Sequence, residues 1–340
     1  MKKILSVFFA LAIIVTGCSG GSSSDDDKDT SNTNGEFPIV IEHAFGETTI
    51  EEKPERVVSI GWENQDVALA LGVAPVAMST PAYGLTGDET MRVWTKEKYE
   101  ELDAEEPTIF NDLNELDFEA IEKANPDVIL AAYSGITQED YNMLSEIAPV
   151  IAYTGEPFVI TWQEQIEQDS KGLGLEAEGK ALIEELEAMI NDEVAKYPSL
   201  DGKTATFAWF DASDTSSFFV YGNADPRSKY LQDMGLELPS EVETVTDDAG
   251  GFFATISAEQ AEILNDTDIL VIYGGNEELL VTLQADPILG KIPAIQNGSV
   301  VLLETDEPVT IAAATPTALS IPYAVEDYVK MIGGAAEKVK

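Results

Sequence analysis

The chain has 340 residues, with 63 Asp and Glu against 19 Lys and Arg, a formal net charge of −44, and 44% hydrophobic residues. The apolar share supports a packed core and the length fits two lobes of ordinary size. The charge excludes nucleic acid as a partner, because one polyanion repels another. One histidine (His43), one cysteine (Cys18) and only Arg56, Arg92 and Arg227 as arginines exclude a three-histidine zinc site, a four-cysteine metal site and an iron–sulfur cluster within one chain. They also exclude a large arginine cluster for phosphates or tricarboxylates.

Lys2 and Lys3 precede an apolar run from Ile4 to Val15, which is too short for a comfortable membrane span and reads as a signal-peptide core. Val15-Thr16-Gly17-Cys18 follows and resembles a bacterial lipobox. That resemblance implies a signal peptide at 1–17, cleavage before Cys18 and a diacylglyceryl thioether on its sulfur, so the lone thiol is consumed as an anchor. The Gly/Ser/Asp/Asn/Thr tract after it has almost nothing apolar to bury, and 18–36 is expected to be an anchored, disordered acidic tether.

From residue 37 onward, short β-branched runs alternate with amphipathic stretches. Strands are predicted at 56–60, 75–78, 127–131, 149–153, 204–210, 268–273 and 299–303. Helices are predicted at 64–71, 117–125, 138–147, 227–234, 258–265 and 277–284. Several strands are apolar throughout, as strands covered on both faces must be, so an α/β fold with mainly parallel sheets is expected. The stretch 162–197 is helical twice with no strand between. Its second helix, about 176–196, repeats Leu182, Leu186, Met189, Ile190 and Val194 at three- and four-residue spacing. Two Rossmann-like lobes follow, at 37–175 and 199–340, joined by a long rigid helix at 176–198. One large α/β domain with an extra helix is the alternative. An internal echo favours two lobes: Glu119 precedes Tyr133 by the same interval as Glu259 precedes Tyr273, each pair framing a helix, an apolar strand and Tyr-x-Gly.

In open α/β sheets the ligand crevice lies beyond the carboxyl ends of the strands. That rule selects Gly61-Trp62-Glu63-Asn64, Tyr133-Ser134-Gly135, Trp209-Phe210-Asp211 and Tyr273-Gly274-Gly275, with Phe218, Phe219 and Tyr221 beside them. Candidate ligand-binding residues are Trp62, Trp94, Tyr133, Trp209, Tyr221 and Tyr273, flat apolar walls with polar edges, and Arg92 and Arg227 for anionic oxygens. For any one aromatic, core packing competes with ligand contact. Trp62 and Tyr133 stand out because both precede small or polar loop residues.

The segments HAFGETTIEEKPERVVSIGWENQDVALALGV (43–73), LDFEAIEKANPDVILAAYSGITQEDYNMLSEIAPVIAY (116–153), TWQEQIEQDSKGLG (161–174), SAEQAEILNDTDILVIY (257–273) and TALSIPYAVEDYV (317–329) together carry a family likeness. The chain resembles the siderophore-binding lipoproteins of bacterial ABC importers, in the superfamily of the ferrichrome- and vitamin-B12-binding proteins. The resemblance implies a cleft between two lobes, little lobe movement, and no enzymatic activity. It implies a monomer, lipid-anchored on the extracytoplasmic face of the cell membrane, that delivers a ferric chelate to a permease dimer with cytoplasmic ATPases. It also implies one docking glutamate per lobe; the motif positions are Glu119 and Glu259.

The cargo class follows partly by subtraction. Free zinc or manganese would need a histidine-rich site. His43 lies in an edge-like segment away from the strand ends, against haem ligation. A tris-catecholate is strongly anionic, whereas a ferric hydroxamate is neutral or cationic and suits an acidic, arginine-poor chain. Iron inside a hexadentate chelator is saturated, so no protein metal ligand and no cofactor are expected. Cobalamin, haem held through tyrosine, and ferric citrate are the alternative cargoes. A surface carbohydrate-active enzyme is a further alternative, since a carboxylate pair suffices for glycoside hydrolysis. No usable His or Cys and no Gly-x-Ser-x-Gly elbow supports other hydrolytic chemistry.

Overall fold

The computed structural model describes residues 35–82, 84–85, 87, 89–112, 115–305 and 307–340. The expected signal peptide, Cys18 and all but the end of the expected tether lie outside the described residues. The described chain opens with a hairpin, β1 (Ile39–His43) and β2 (Gly46–Ile50), paired antiparallel. His43 is spent there: its Nε2 shares a 2.9 Å hydrogen bond with the Thr48 hydroxyl, and its ring lies against Tyr141.

Strands and helices then alternate. They are β3 (Val57–Ser59), α1 (Asn64–Ala70), β4 (Ala77–Ser79), α2 (Val93–Glu101), β5 (Thr108–Phe110), α3 (Phe118–Lys123), β6 (Val128–Ala131), α4 (Gln138–Ser145) and β7 (Val150–Ala152). The strands form one parallel sheet in the order β5-β4-β3-β6-β7. All residues of β3, β4, β6 and β7 are buried, because helices cover both faces. Val58, Ile129 and Val150 point into one core and Val57, Val128 and Ile151 into the other. Chain order reverses direction between β3 and β6, which fixes a switch point there.

Two helices follow without a strand, α5 (Trp162–Gly172) and α6 (Glu176–Val194). Thr161 and Glu164 close a reciprocal capping box at the start of α5, which satisfies two otherwise orphaned amides. The second sheet comprises β8 (Ala205–Asp211), β9 (Asp214–Tyr221), β10 (Phe253–Ser257), β11 (Ile269–Tyr273) and β12 (Val300–Leu303) in the order β10-β9-β8-β11-β12. Its β8, β11 and β12 are parallel, while β9 runs antiparallel to both neighbours. Around it lie α7 (Pro226–Asp233), α8 (Ser240–Ala249), α9 (Glu277–Ala285), α10 (Pro293–Asn297), α11 (Pro308–Ala313) and α12 (Ser320–Ala336).

The α/β class with two Rossmann-like sheets is therefore present, with one sheet wholly parallel and one mixed. One core spans the two sheets' territories: Val67 of α1 and Trp162 and Ile166 of α5 pack with Leu186 and Ile190 of α6 and Tyr328, Val329 and Ile332 of α12. Two polar ties cross the same junction. The Trp162 indole N–H donates to the Asp233 carboxylate at 2.8 Å, and the Thr317 hydroxyl donates to Asp66 at 2.6 Å. Among the described residues, no helix is long and apolar enough to cross a membrane. The segment expected as a helix at 258–265 is a 3-10 turn, Ala258–Leu264.

Candidate ligand cleft

The chain leaves β3 through Gly61, Trp62 and Glu63 and leaves β6 through Ala132, Tyr133 and Ser134, on either side of the switch point. These two exits are tied together. The Trp62 amide donates to the Tyr133 carbonyl at 2.8 Å. The Asn64 side chain donates to the Ile60 and Tyr133 carbonyls and accepts from the Tyr133 amide at 3.0 Å. Gln165 of α5 donates to the Trp62 carbonyl and to Asn64, each at 3.0 Å. Gly61 is required: its φ is +77°, and a β-carbon would stand 2.6 Å from the Tyr133 carbonyl oxygen. Gly135 is required for a different reason, because the Phe158 ring lies where its β-carbon would be.

The second sheet supplies the facing wall through register. Side chains alternate between faces along a strand, so Phe207 and Trp209 of β8, Phe219 and Tyr221 of β9 and Phe253 of β10 share one face. Trp209 stacks on Phe219 with centroids 5.0 Å apart, and Phe219 meets Phe253 at 4.7 Å. The opposite face, with Phe210, Phe218, Val220 and Ile256, packs into its own core. Arg227, at the start of α7, lies over this wall. Its guanidinium carbon is 4.4 Å from the Tyr221 ring centroid, 5.1 Å from Phe207 and 5.5 Å from Tyr273. Asp225 grips it with both oxygens, Nε to Oδ1 at 2.9 Å and Nη2 to Oδ2 at 2.6 Å. A planar fork held this way has a fixed direction. Burial pushes the Tyr221 and Tyr273 phenols up, partly opposed by Arg227, so both rings stay neutral.

The cleft has two compartments. One, of about 300 Å³, is aromatic, lined by Trp62, Tyr133 and Phe158 on one side and Tyr221, Arg227 and Phe253 on the other. The other, of about 390 Å³, is polar, with Ser79, Thr80, Asp112, Ser134 and Asp140 among its lining. Trp62 and Phe158 wall both. Burial raises the Asp112 carboxyl above its ordinary range, against hydrogen bonds from the Ser79 hydroxyl and the Gly61 amide.

The structure thus brings Trp62, Tyr133, Tyr221 and Arg227 to the aromatic compartment and sets Tyr273 beneath Arg227. Trp209 backs the wall through Phe219. Two expected ligand contacts are placed elsewhere. Trp94 is 4% exposed and donates its indole N–H to Asp66 at 2.9 Å. Arg92 is 2% exposed, sits at the N-cap position of α2 and pairs with Glu63 at 3.0 Å. Both line a narrow crevice beside Gly84 and Ile311, not the cleft. The reason is local: Val93–Glu101 forms a helix packed on α1, so Trp94 and Thr95 turn inward to the Asp66 carboxylate. Sequence reasoning missed Phe158 and Phe253. Glu119 and Glu259 are both exposed in the first turn after a capping residue, Asp117 and Ser257 respectively. Each opens a segment that runs back along its sheet into the next strand, so both lie at the strands' carboxyl ends.

The chain is similar to PiaA of Streptococcus pneumoniae TIGR4, solved in complex with ferrichrome: 46% identity over 89% of this chain and 100% of that one, TM-score 0.84. It is 25% identical over 301 residues to the Fe(3+)-citrate-binding protein YfmC of Bacillus subtilis (strain 168), 87% of each. SirA of Staphylococcus aureus, solved with staphyloferrin B, shares the fold at 22% identity over 88% of this chain and 97% of that one, TM-score 0.64. Residues 57–307 match the periplasmic binding protein family, and the chain belongs to that family.

Proposed function

We propose that the chain is the extracytoplasmic substrate-binding component of an ABC importer that captures a ferric siderophore, of the hydroxamate type. The observation that carries this reading is the aromatic compartment with one clamped guanidinium in it. The faces of Trp62, Tyr133, Phe158, Tyr221 and Phe253 suit the organic shell of a chelate. Arg227, held by Asp225 and stacked on Tyr221, offers N–H groups to the partly negative oxygens around the iron. The polar compartment takes the hydrophilic scaffold of the same molecule. A single cleft arginine is poorly matched to the several carboxylates of ferric citrate, which YfmC binds. The ferrichrome in the PiaA complex is a hydroxamate chelate and supports the same class. The iron is cargo, already coordinated by its chelator.

Tryptophan quenching tests this. Ferrichrome, ferrioxamine B, a ferric catecholate, ferric citrate, haemin and cobalamin are titrated in parallel. The reading expects saturable submicromolar quenching by a ferric hydroxamate and none by its iron-free form. Quenching by ferric citrate or haemin alone would replace the cargo class.

The partner in this reading is a membrane permease dimer driven by ATPases, docked through Glu119 and Glu259, with Cys18 lipidated to keep the monomer at the membrane. Charge reversal at both glutamates is expected to abolish iron-chelate uptake by cells while leaving affinity for the cargo intact. Undiminished uptake would remove them from the docking surface.

A further inference from the structure

Glu63 has a backbone conformation that its residue type does not favour. Its φ and ψ are 53° and 25°, left-handed geometry in which a β-carbon crowds the following carbonyl. Glycine or asparagine meets little penalty there. The position instead carries a carboxylate that is 4% exposed at the floor of the cleft. Its oxygens are both engaged: Oε1 accepts from Arg92 Nε at 3.0 Å and Oε2 from Gln65 Nε2 at 2.6 Å. A buried ion pair adds little net stability relative to apolar residues of the same shape, and geometric specificity is its better-attested use.

Arg92 is fixed from behind. Its backbone occupies the N-cap position of α2, its guanidinium fills the space a Gly84 side chain would need, and it stands 5.7 Å from the Trp94 ring. Trp94 in turn is bound to Asp66 of α1. The pair therefore ties the Glu63 turn, which opens α1, to the start of α2. Trp62 is the residue immediately before that turn. Its amide and carbonyl are held by Tyr133 and Gln165, which fixes the peptide groups. The direction in which the indole leaves the chain is set by the turns on either side, Gly61 and Glu63.

We propose that the buried Glu63–Arg92 ion pair is a positioning device for cargo recognition: it holds the left-handed turn that stands Trp62 between the two compartments. Arg92 acts on the cargo through Trp62 and does not touch it. The proposal rests on the cargo reading above, because it assumes that the chelate packs on Trp62.

The test uses the full chain in detergent, labelled with 5-fluorotryptophan, so that its four tryptophans are read separately by 19F NMR. The Trp62 resonance is assigned from Trp62→Phe. The double variant E63Q/R92M removes both charges together, so neither is left buried alone. It is expected to melt near wild type, to shift or broaden the Trp62 resonance while those of Trp162 and Trp209 stay, and to bind ferrichrome about tenfold more weakly. E63Q alone keeps an acceptor for Arg92 and is expected to fall between. A folded double variant that binds ferrichrome within about twofold of wild type, while Trp62→Ala has lost it, overturns the positioning role and leaves the cargo reading standing. If Trp62→Ala also binds normally, the packing of cargo on Trp62 falls, and the proposal with it. Should the double variant not fold, the same criterion applied to E63Q decides.

Discussion

Asp169 lies on the inner face of α5 with no exposure, and among the described residues neither carboxyl oxygen has a hydrogen-bond partner of good geometry. Burial raises its pKa well above the ordinary range, and the approach of the Ala132 amide opposes this only in part. The unfolded chain releases this proton in the ordinary carboxylate range; the folded chain holds it to higher pH. Between those two points the folded state binds the extra proton, so stability falls as pH rises through the interval. Asp169→Asn removes the titration. Its melting temperature at about pH 7.5 is expected to equal or exceed wild type, with a flatter dependence from about pH 5 upward. A lower melting temperature with an unchanged slope would contradict this assignment. At this scale Trp62 and Tyr133 were legible because strand ends are marked by the switch from apolar runs to small polar residues. Phe158 was not, since its place follows from a left-handed loop (φ +62°) folding its ring against Gly135. Arg92 and Trp94 read as cleft residues because Met-Arg-Val-Trp looks like a loop; only the packing of α2 on α1 reveals the carboxylates waiting for them.

Among the elements, α5 carries more than its length implies. It contributes Gln165 to the cleft floor, Trp162 to the junction with α7, and Gln168 to the Glu42 carbonyl at 2.9 Å. Its first turn is secured by the Thr161–Glu164 box. Thr161→Ala is expected to cost about 1 kcal/mol, read as a lower urea midpoint with unchanged slope; no loss would mean that the tertiary contacts alone hold the turn. The wholly buried, apolar strands and this helix pair were readable from periodicity. Others were not, among them α2, the long helix α12 and three short or polar elements. β5 has three residues with only Phe110 buried. α8, Ser240–Ala249, buries just Val242 and Thr246 under a polar surface. β10 alternates buried and exposed positions, and its neighbour β9 is the antiparallel ribbon that breaks the parallel pattern. Short strands are specified by what they pair with, and that information is not local.

For the whole molecule, a formal charge of −44 sets a self-repulsion that compactness increases. Added salt screens it. The melting temperature is expected to rise from low ionic strength to about 1 M NaCl, where the Debye length is roughly 3 Å. A flat response would show that the carboxylates are spaced widely enough in the native state not to repel. The α/β architecture with two sheets was visible in the alternation of elements. The mixed second sheet was not, because the polar stretch 211–217 hides the start of β9; once its bounds are known, the two residues between β8 and β9 allow only an antiparallel hairpin.

The composition of the shared core bears on how such a chain is made. α12 contributes Ile321, Val325, Tyr328, Val329 and Ile332 to the cluster that also contains Val67 and Trp162. Val67 and Trp162 are synthesised early, and their partners on α12 come last. Until the final helix has emerged, the junction keeps a wide apolar seam open and the fold has no way to finish. That order of events leaves this seam open until the last segment has been made. Locking occurs only when the far end arrives.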